Sequence, residues 1–254
     1  MKSAMFYICA LVWVNTWYPA LSAQNAFSKR FDSSSYARVL QTHVDNNGMV
    51  NYKALKADPH ELNSYVQALG NLRRSDYDQW QEQARIAFWL NAYNGLTLKT
   101  IIDHYPIKST FLKSRIYPKN SIRQISGAWD KITHKVMGED MTLDYIEHNI
   151  LRAKFKEPRI HMALVCAAMS CPHLRNEPYD GSRLGAQLDE QSNRFLSSRS
   201  KLKITRMDKA IHLSPIFKWF AQDFLSQYVP KQAIGEHSKE NQAVLHFVAG
   251  YLNE

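Results

Sequence analysis

Residues 83–102 read QARIAFWLNAYNGLTLKTII. Apolar side chains occupy nearly every face of the helix this stretch would form, which predicts a helix buried on most sides and so the centre of the fold. Two amides interrupt it, Asn91 and Asn94, one helical turn apart. A buried amide left unpaired costs about 1–3 kcal/mol, so both must be bonded to something. Either they tie neighbouring loops to the central helix, or they line a polar site at the heart of the domain. The sequence Asp103-His104-Tyr105-Pro106 closes the helix, because proline disfavours helical backbone at the residue before it.

Upstream, residues 36–44 predict a short helix, stopped by the turn Asp45-Asn46-Asn47-Gly48. A short strand is expected over 49–52. That acidic turn lacks the spacing of a calcium loop. Residues 61–69 have helical periodicity, with Gly70 expected to close the element. Downstream, 129–136 alternates like a strand, Gly138-Glu139-Asp140 forms a turn, and the chain resumes at Met141. Thr142 can cap a helix whose apolar stripe is Leu143, Ile146, Ile150 and Leu151. Glu147 lies on the edge of that stripe. It is expected to pair with Arg152 or Arg159, or to sit with a raised pKa in a cleft. Residues 160–167 are short, apolar and bounded by prolines, the best strand pattern in the chain. A helix over 184–195, a hairpin over 201–213, a helix opened by Ser214-Pro215 and an amphipathic helix over 241–252 complete the reading. Long helices followed by short strands give an α+β class, with helices packed on a small antiparallel or mixed sheet.

The N-terminus reads as a secretory signal over residues 1–23. Lys2 precedes the apolar run MFYICALVWV at 5–14, and Ala20-Leu21-Ser22-Ala23 offers a cleavage site after Ala23. The run falls short of the roughly 20 apolar residues a membrane span needs, and no later segment is long enough. The chain is therefore expected to be periplasmic or secreted, with a flexible stretch over 24–35 and a single globular domain over 36–254. Removing 23 of 254 residues leaves 231, and the formal charge falls from +9 to +8 with the loss of Lys2. A basic exported chain could meet an anionic envelope polymer or a small anionic ligand, or its charge could be a solubility setting. Export and the absence of any recognition motif argue against nucleic acid. Residues 108–123 carry Lys108, Lys113, Arg115, Lys119 and Arg123, which read as an anion-binding loop or a solvated basic face. No cofactor motif appears.

Cys9 leaves with the signal, so the mature chain keeps Cys166 and Cys171. Both lie in Arg159-Ile-His-Met-Ala-Leu-Val-Cys-Ala-Ala-Met-Ser-Cys-Pro172, beside His161. On a regular strand His161 and Cys166 have opposite parity, and about 16 Å of chain separates them. Cys166 then shares a face with Ile160, Met162 and Leu164 and points to the core. Cys171 is the better nucleophile, because Pro172 favours a helical turn that would place Cys171 at its N-cap and stabilise a thiolate. A Cys166–Cys171 disulfide is the alternative, since four intervening residues can close a small loop and an exported compartment favours oxidation. Zinc held by His161, Cys166, Cys171 and His173 matches no standard spacing.

Several blocks, taken in order, resemble the family known as domain of unknown function 547. They are Phe88-Trp-Leu-Asn-Ala-Tyr-Asn94, Leu143-Asp-Tyr-Ile-Glu-His148 with Leu151-Arg152, Pro158–Cys166, Ser170-Cys-Pro172, and Leu213–Phe220 with Asp223-Phe224. They run over roughly residues 36–228. The family carries no settled activity. Its buried helix followed by a sheet bearing a His looks similar to papain-like and transglutaminase-like domains. There, a nucleophilic Cys opens the central helix; here that helix offers Asn91, and both mature cysteines follow His161. The expectation is thiol-dependent acyl transfer or amide hydrolysis. Cys171 would be the nucleophile, His161 the base, Asn91 an oxyanion donor or orienting group and Glu147 a fixing group, with Asn94 and Arg159 as ligand contacts. The alternative is a non-catalytic ligand-binding or scaffold domain in which the same residues form a buried network.

Overall fold

The computed structural model describes residues 30–109, 115–118, 120–166, 171–205, 207, 209–229 and 236–252. The signal segment 1–23, Lys113 and Lys119 of the basic stretch, and the middle of the cysteine loop lie outside the described residues. The helices are α1 (Ser34–His43), α2 (Tyr52–Ala57), α3 (His60–Asn71), α4 (Arg74–Tyr77) and α5 (Glu82–Asp103). The hairpin β1 (Thr133–Val136) and β2 (Glu139–Thr142) follows, then a π-helix Tyr145–Arg152 and a 3₁₀ helix Pro158–Met162. The C-terminal part contains α6 (Leu184–Leu196), the hairpin β3 (Leu202–Thr205) and β4 (Ala210–Leu213), α7 (Pro215–Trp219), α8 (Ala221–Phe224) and α9 (Lys239–Gly250). Helices thus accompany two separate antiparallel pairs, which is the expected α+β class.

The central helix is as the apolar pattern requires. In α5 every residue from Ile86 to Leu98 is buried, and α2, α3, α6 and the π-helix pack on it. Burying a side chain such as Trp89 or Leu90 completely stabilises the fold by about 1.5–3 kcal/mol. Gly95 sits mid-helix because the Tyr65 ring lies against it: a Cβ there would come within 2.6 Å of Tyr65 Cε1. A second core joins Met162, Phe195, Leu202, Phe217, Phe224, Phe247 and Val248. The 3₁₀ helix runs between the two cores, with Ile160 in the first and Met162 in the second.

Several sequence expectations are corrected. The strand over 49–52 reduces to a single Val44–Val50 bridge, because the Asn51 side chain accepts from Ala54 N–H at 3.1 Å and opens α2 at Tyr52. Gly70 does not close α3 but lies inside it, 3.4 Å from Lys135 Cβ for a built Cβ, where the β1–β2 hairpin crosses closely. The turn of that hairpin is Met137-Gly138, both at positive φ (53° and 80°), which matches the twist of a tight two-residue hairpin. Its N–H groups donate to Leu69 and Gly70 carbonyls at 2.8 and 2.9 Å.

The strand over 160–167 is absent. Pro158 supplies the first helical position, and Glu157 accepts from Arg159 N–H at 3.1 Å, so the chain starts a 3₁₀ turn. A short apolar run does not distinguish buried strand from buried helix by periodicity. The helix after Thr142 forms as expected, with the Thr142 hydroxyl accepting from Tyr145 N–H at 3.1 Å, but it winds as a π-helix. Residues 30–35, expected to be flexible, are tied down: Phe31 packs edge-on against Phe88 at 5.2 Å, Arg30 pairs with Asp180 at 3.2 Å, and Ser34 begins α1. Among the described residues no helix is long and apolar enough to cross a membrane.

Candidate functional site

Residues 163–180 run between the 3₁₀ helix and α6, and their described part has no regular secondary structure. Their buried peptide groups need partners nonetheless. Side-chain amides of the flanking helices supply them. Asn94 Nδ2 donates to the Ala163 carbonyl at 3.0 Å, and its Oδ1 accepts from Val165 N–H at 2.9 Å. Asn91 repeats the pattern on Tyr179, donating to its carbonyl at 2.8 Å and accepting from its N–H at 2.9 Å. From α6, Gln187 donates to the Pro178 carbonyl at 3.0 Å and accepts from Asp180 N–H at 2.8 Å. Gln191 donates to the His173 carbonyl at 2.5 Å. Each amide of the first three presents one donor and one acceptor to the peptide backbone, as a neighbouring strand would. Asn91 and Asn94 are 3 % and 2 % exposed, so the replacement bonds form away from water.

Within this segment Cys166 and Cys171 are joined in a disulfide, their Cα atoms 5.9 Å apart. Cys166, expected in the core, is only partly buried, while Cys171 is buried. The reason is the missing strand: without its two-residue alternation the parity argument has no basis. No helix follows Pro172, so Cys171 has no helix N-terminus to stabilise a thiolate. The space beside it, lined by His173, Gln191 and Lys201 among others, amounts to about 10 Å³. Two of the four zinc ligands considered are therefore consumed by the disulfide.

His161 lies on the 3₁₀ helix and is buried. Its Nε2 is 2.8 Å from Asp223 Oδ2, and its ring stacks on Phe220 with centroids 4.0 Å apart. Arg152 grips the same carboxylate with both arms, Nε to Oδ2 at 2.6 Å and Nη2 to Oδ1 at 3.0 Å, and lies over the same Phe220 ring at 4.8 Å. Its third nitrogen donates to His148 Nδ1 at 3.0 Å. Burial pushes the His161 pKa down, against the opposing pull of Asp223, so the imidazole is neutral near neutral pH. Burial acts to raise the Asp223 pKa, but the hydrogen bonds from His161 and Arg152 and the positive charge of Arg152 outweigh it and hold the carboxyl well below its ordinary range. Asp223 stays ionised. The cavity beside this group, bounded by Arg152, Lys156 and Gln222, holds about 110 Å³, below the roughly 300–1,000 Å³ of ordinary ligand sites.

The remaining expectations resolve as follows. Glu147 pairs with neither arginine; Tyr93 Oη donates to its Oε2 at 3.0 Å, because α5 brings the phenol to the π-helix. Burial, then the neighbouring Glu147 charge, raises the Tyr93 pKa well above the ordinary value, so the phenol remains the donor. Arg159 is not a free ligand contact: Glu157 takes two of its nitrogens at 2.8 and 2.6 Å and Asp189 a third at 2.7 Å. Asn91 borders a cavity of about 270 Å³ between α1, α5 and Pro178–Arg183, but its amide atoms are committed to Tyr179. It is not placed as an oxyanion donor. The structure therefore joins Cys171 to Cys166 and His161 to Asp223, and brings none of Asn91, Asn94 or Arg159 into a common open cleft.

Sequence reading missed Asp223, Tyr93, Phe220 and Gln187 as members of these networks. The first three lay in the quoted blocks, and that membership was the available signal. Gln187 carried none, being one polar position on an amphipathic helix.

A family model described as a protein of unknown function, DUF547, matches residues 77–196. No curated protein matches the chain, and no solved structure does.

Proposed function

The chain belongs to the DUF547 family through residues 77–196, and from that premise we propose that it acts as a non-catalytic binding or scaffold domain of an exported protein. Its characteristic polar residues would hold an irregular segment in one shape rather than perform chemistry. One observation carries the reading: every motif residue singled out for catalysis or ligand contact is already engaged by another part of the chain, His161 by Asp223 among them. Asn91 and Asn94 bond to backbone, Glu147 to Tyr93, Arg159 to Glu157 and Asp189, and Cys171 to Cys166. Among the described residues, the spaces beside Cys171 and Asp223 amount to about 10 and 110 Å³, which agrees with it. An oxidising compartment would keep the disulfide closed.

A second reading rests on the His161–Asp223 hydrogen bond, the arrangement of a base oriented by a carboxylate. In a reduced chain Cys171 would be the nucleophile of an acyl transferase or amide hydrolase, with His161 as its base. Iodoacetamide labelling of the reduced, still folded protein separates the two. The scaffold reading expects Cys171 to react no faster than an ordinary thiol of pKa about 8.5. Accelerated labelling near neutral pH that disappears in His161→Gln would overturn it in favour of the enzyme.

A further inference from the structure

A cavity lies far along the chain from the motif blocks of α5, between β4, α7 and α9. It has a volume of about 750 Å³, and its floor is Leu213, Phe217, Val244 and Val248. Its rim carries Lys209, Lys218 and His237, and no carboxylate is among the described residues that line it. Neither lysine has an ion pair among the described residues. Lys209 is held at φ 47°, a conformation L-residues rarely adopt, at the end of the β3–β4 connection. The register of that hairpin pairs Leu202 with Leu213 and Ile204 with Ile211, so one face is apolar from end to end. Its outer pair, Ile204 and Ile211, remains 49 % and 47 % exposed, and Leu252 at the other wall is 45 % exposed. Scattered apolar residues need no explanation, whereas a contiguous patch around a concavity marks a binding surface.

We propose that this groove binds a single-chain amphipathic anion, an alkanoate whose hydrocarbon tail lies on the apolar floor and whose carboxylate meets Lys209 and Lys218. The cavity is within the size range of small-ligand sites, and its charge is complementary to such a head group. A second copy of the chain is disfavoured as occupant, because a two-fold contact would bring the basic rim of each copy against the other. The inference is independent of the scaffold reading, since none of these residues belongs to the networks around His161 or Asn91.

Titration with dodecanoate, with uncharged dodecanol as control, tests it. The expected result is one dodecanoate per chain, bound more tightly than dodecanol, with affinity falling about tenfold or more in Lys209→Glu/Lys218→Glu. Filling the groove with Ala249→Trp removes binding while the circular dichroism melt stays that of the parent; Ala249 is only half-buried. Because the charge-reversal variant alters surface side chains alone, it remains informative if Ala249→Trp fails to fold. Equal binding of dodecanol and dodecanoate, or indifference to charge reversal, overturns the proposal. Dimerisation through this face without alkanoate uptake overturns it too.

Discussion

Asn91→Ala is expected to lower the stability of the domain by about 2–6 kcal/mol, from two stranded backbone groups. The substitution strands the Tyr179 N–H and carbonyl, both bonded to the Asn91 amide at 2.9 and 2.8 Å. Each buried backbone group left without a partner costs about 1–3 kcal/mol, and Asn91 and Tyr179 are 3 % and 5 % exposed; water entering from the cavity of about 270 Å³ that both residues border would bring the loss toward the low end of the range. Asn91→Asp does not rescue. It keeps the acceptor for Tyr179 N–H but turns the donor into a buried negative charge facing the Tyr179 carbonyl. Urea unfolding measures both variants. A loss below about 1 kcal/mol for Asn91→Ala, within the range of surface substitutions, would mean that the amide is not a structural clamp.

Gly95→Ala is expected to destabilise, although helix propensity alone argues the reverse. Replacing glycine by alanine inside a helix gains about 1 kcal/mol. Against this, the new methyl carbon would lie 2.6 Å from Tyr65 Cε1, 3.1 Å from Tyr65 Cδ1 and 3.4 Å from Tyr36 Cε2. Those two rings are stacked 4.6 Å apart, and each is only 1 % exposed, so neither can swing into solvent. Overpacking of this kind costs typically 1–3 kcal/mol, which outweighs the propensity gain. Gly95→Val adds further carbon and a β-branch, so its thermal melt should fall further below that of Gly95→Ala. A melting point for Gly95→Ala above that of the parent protein would show that the tyrosine pair yields.

The degree to which the fold was legible follows the range of the interaction that fixes each element. The buried helix α5 and the β3–β4 hairpin could be read because their own side-chain pattern sets them. The helix opened by Ser214 and Pro215 was equally readable, since its cap is local: the Ser214 hydroxyl accepts from Ile216 N–H at 3.4 Å. The stretch after Pro158 could not be read this way. Its apolar run is compatible with strand or helix, and Glu157 and Pro158 decided for a 3₁₀ turn.

The site divides in the same manner. That Asn91 and Asn94 must be bonded followed from burial alone, and tying loops to the central helix was one of the two readings their positions allowed. Which backbone they bond, 88 residues away for Tyr179, depends on a fold that no local pattern encodes. Asp223 reaches His161 from 62 residues downstream, beyond the matched family region. Glu147, a carboxylate on the edge of an apolar stripe, was expected to pair with Arg152 or Arg159 or to sit in a cleft, yet the π-helix presents it to Tyr93 of α5 instead.

The central claim is that side-chain amides replace a strand as the hydrogen-bond partners of the described part of residues 163–180. Amide hydrogen exchange at Val165 and Tyr179, whose N–H groups donate to Asn94 and Asn91, tests it most directly. The account predicts that both exchange only through global unfolding, with protection comparable to the amides of α5. Exchange of either at the rate of an exposed loop, while α5 stays protected, would contradict it.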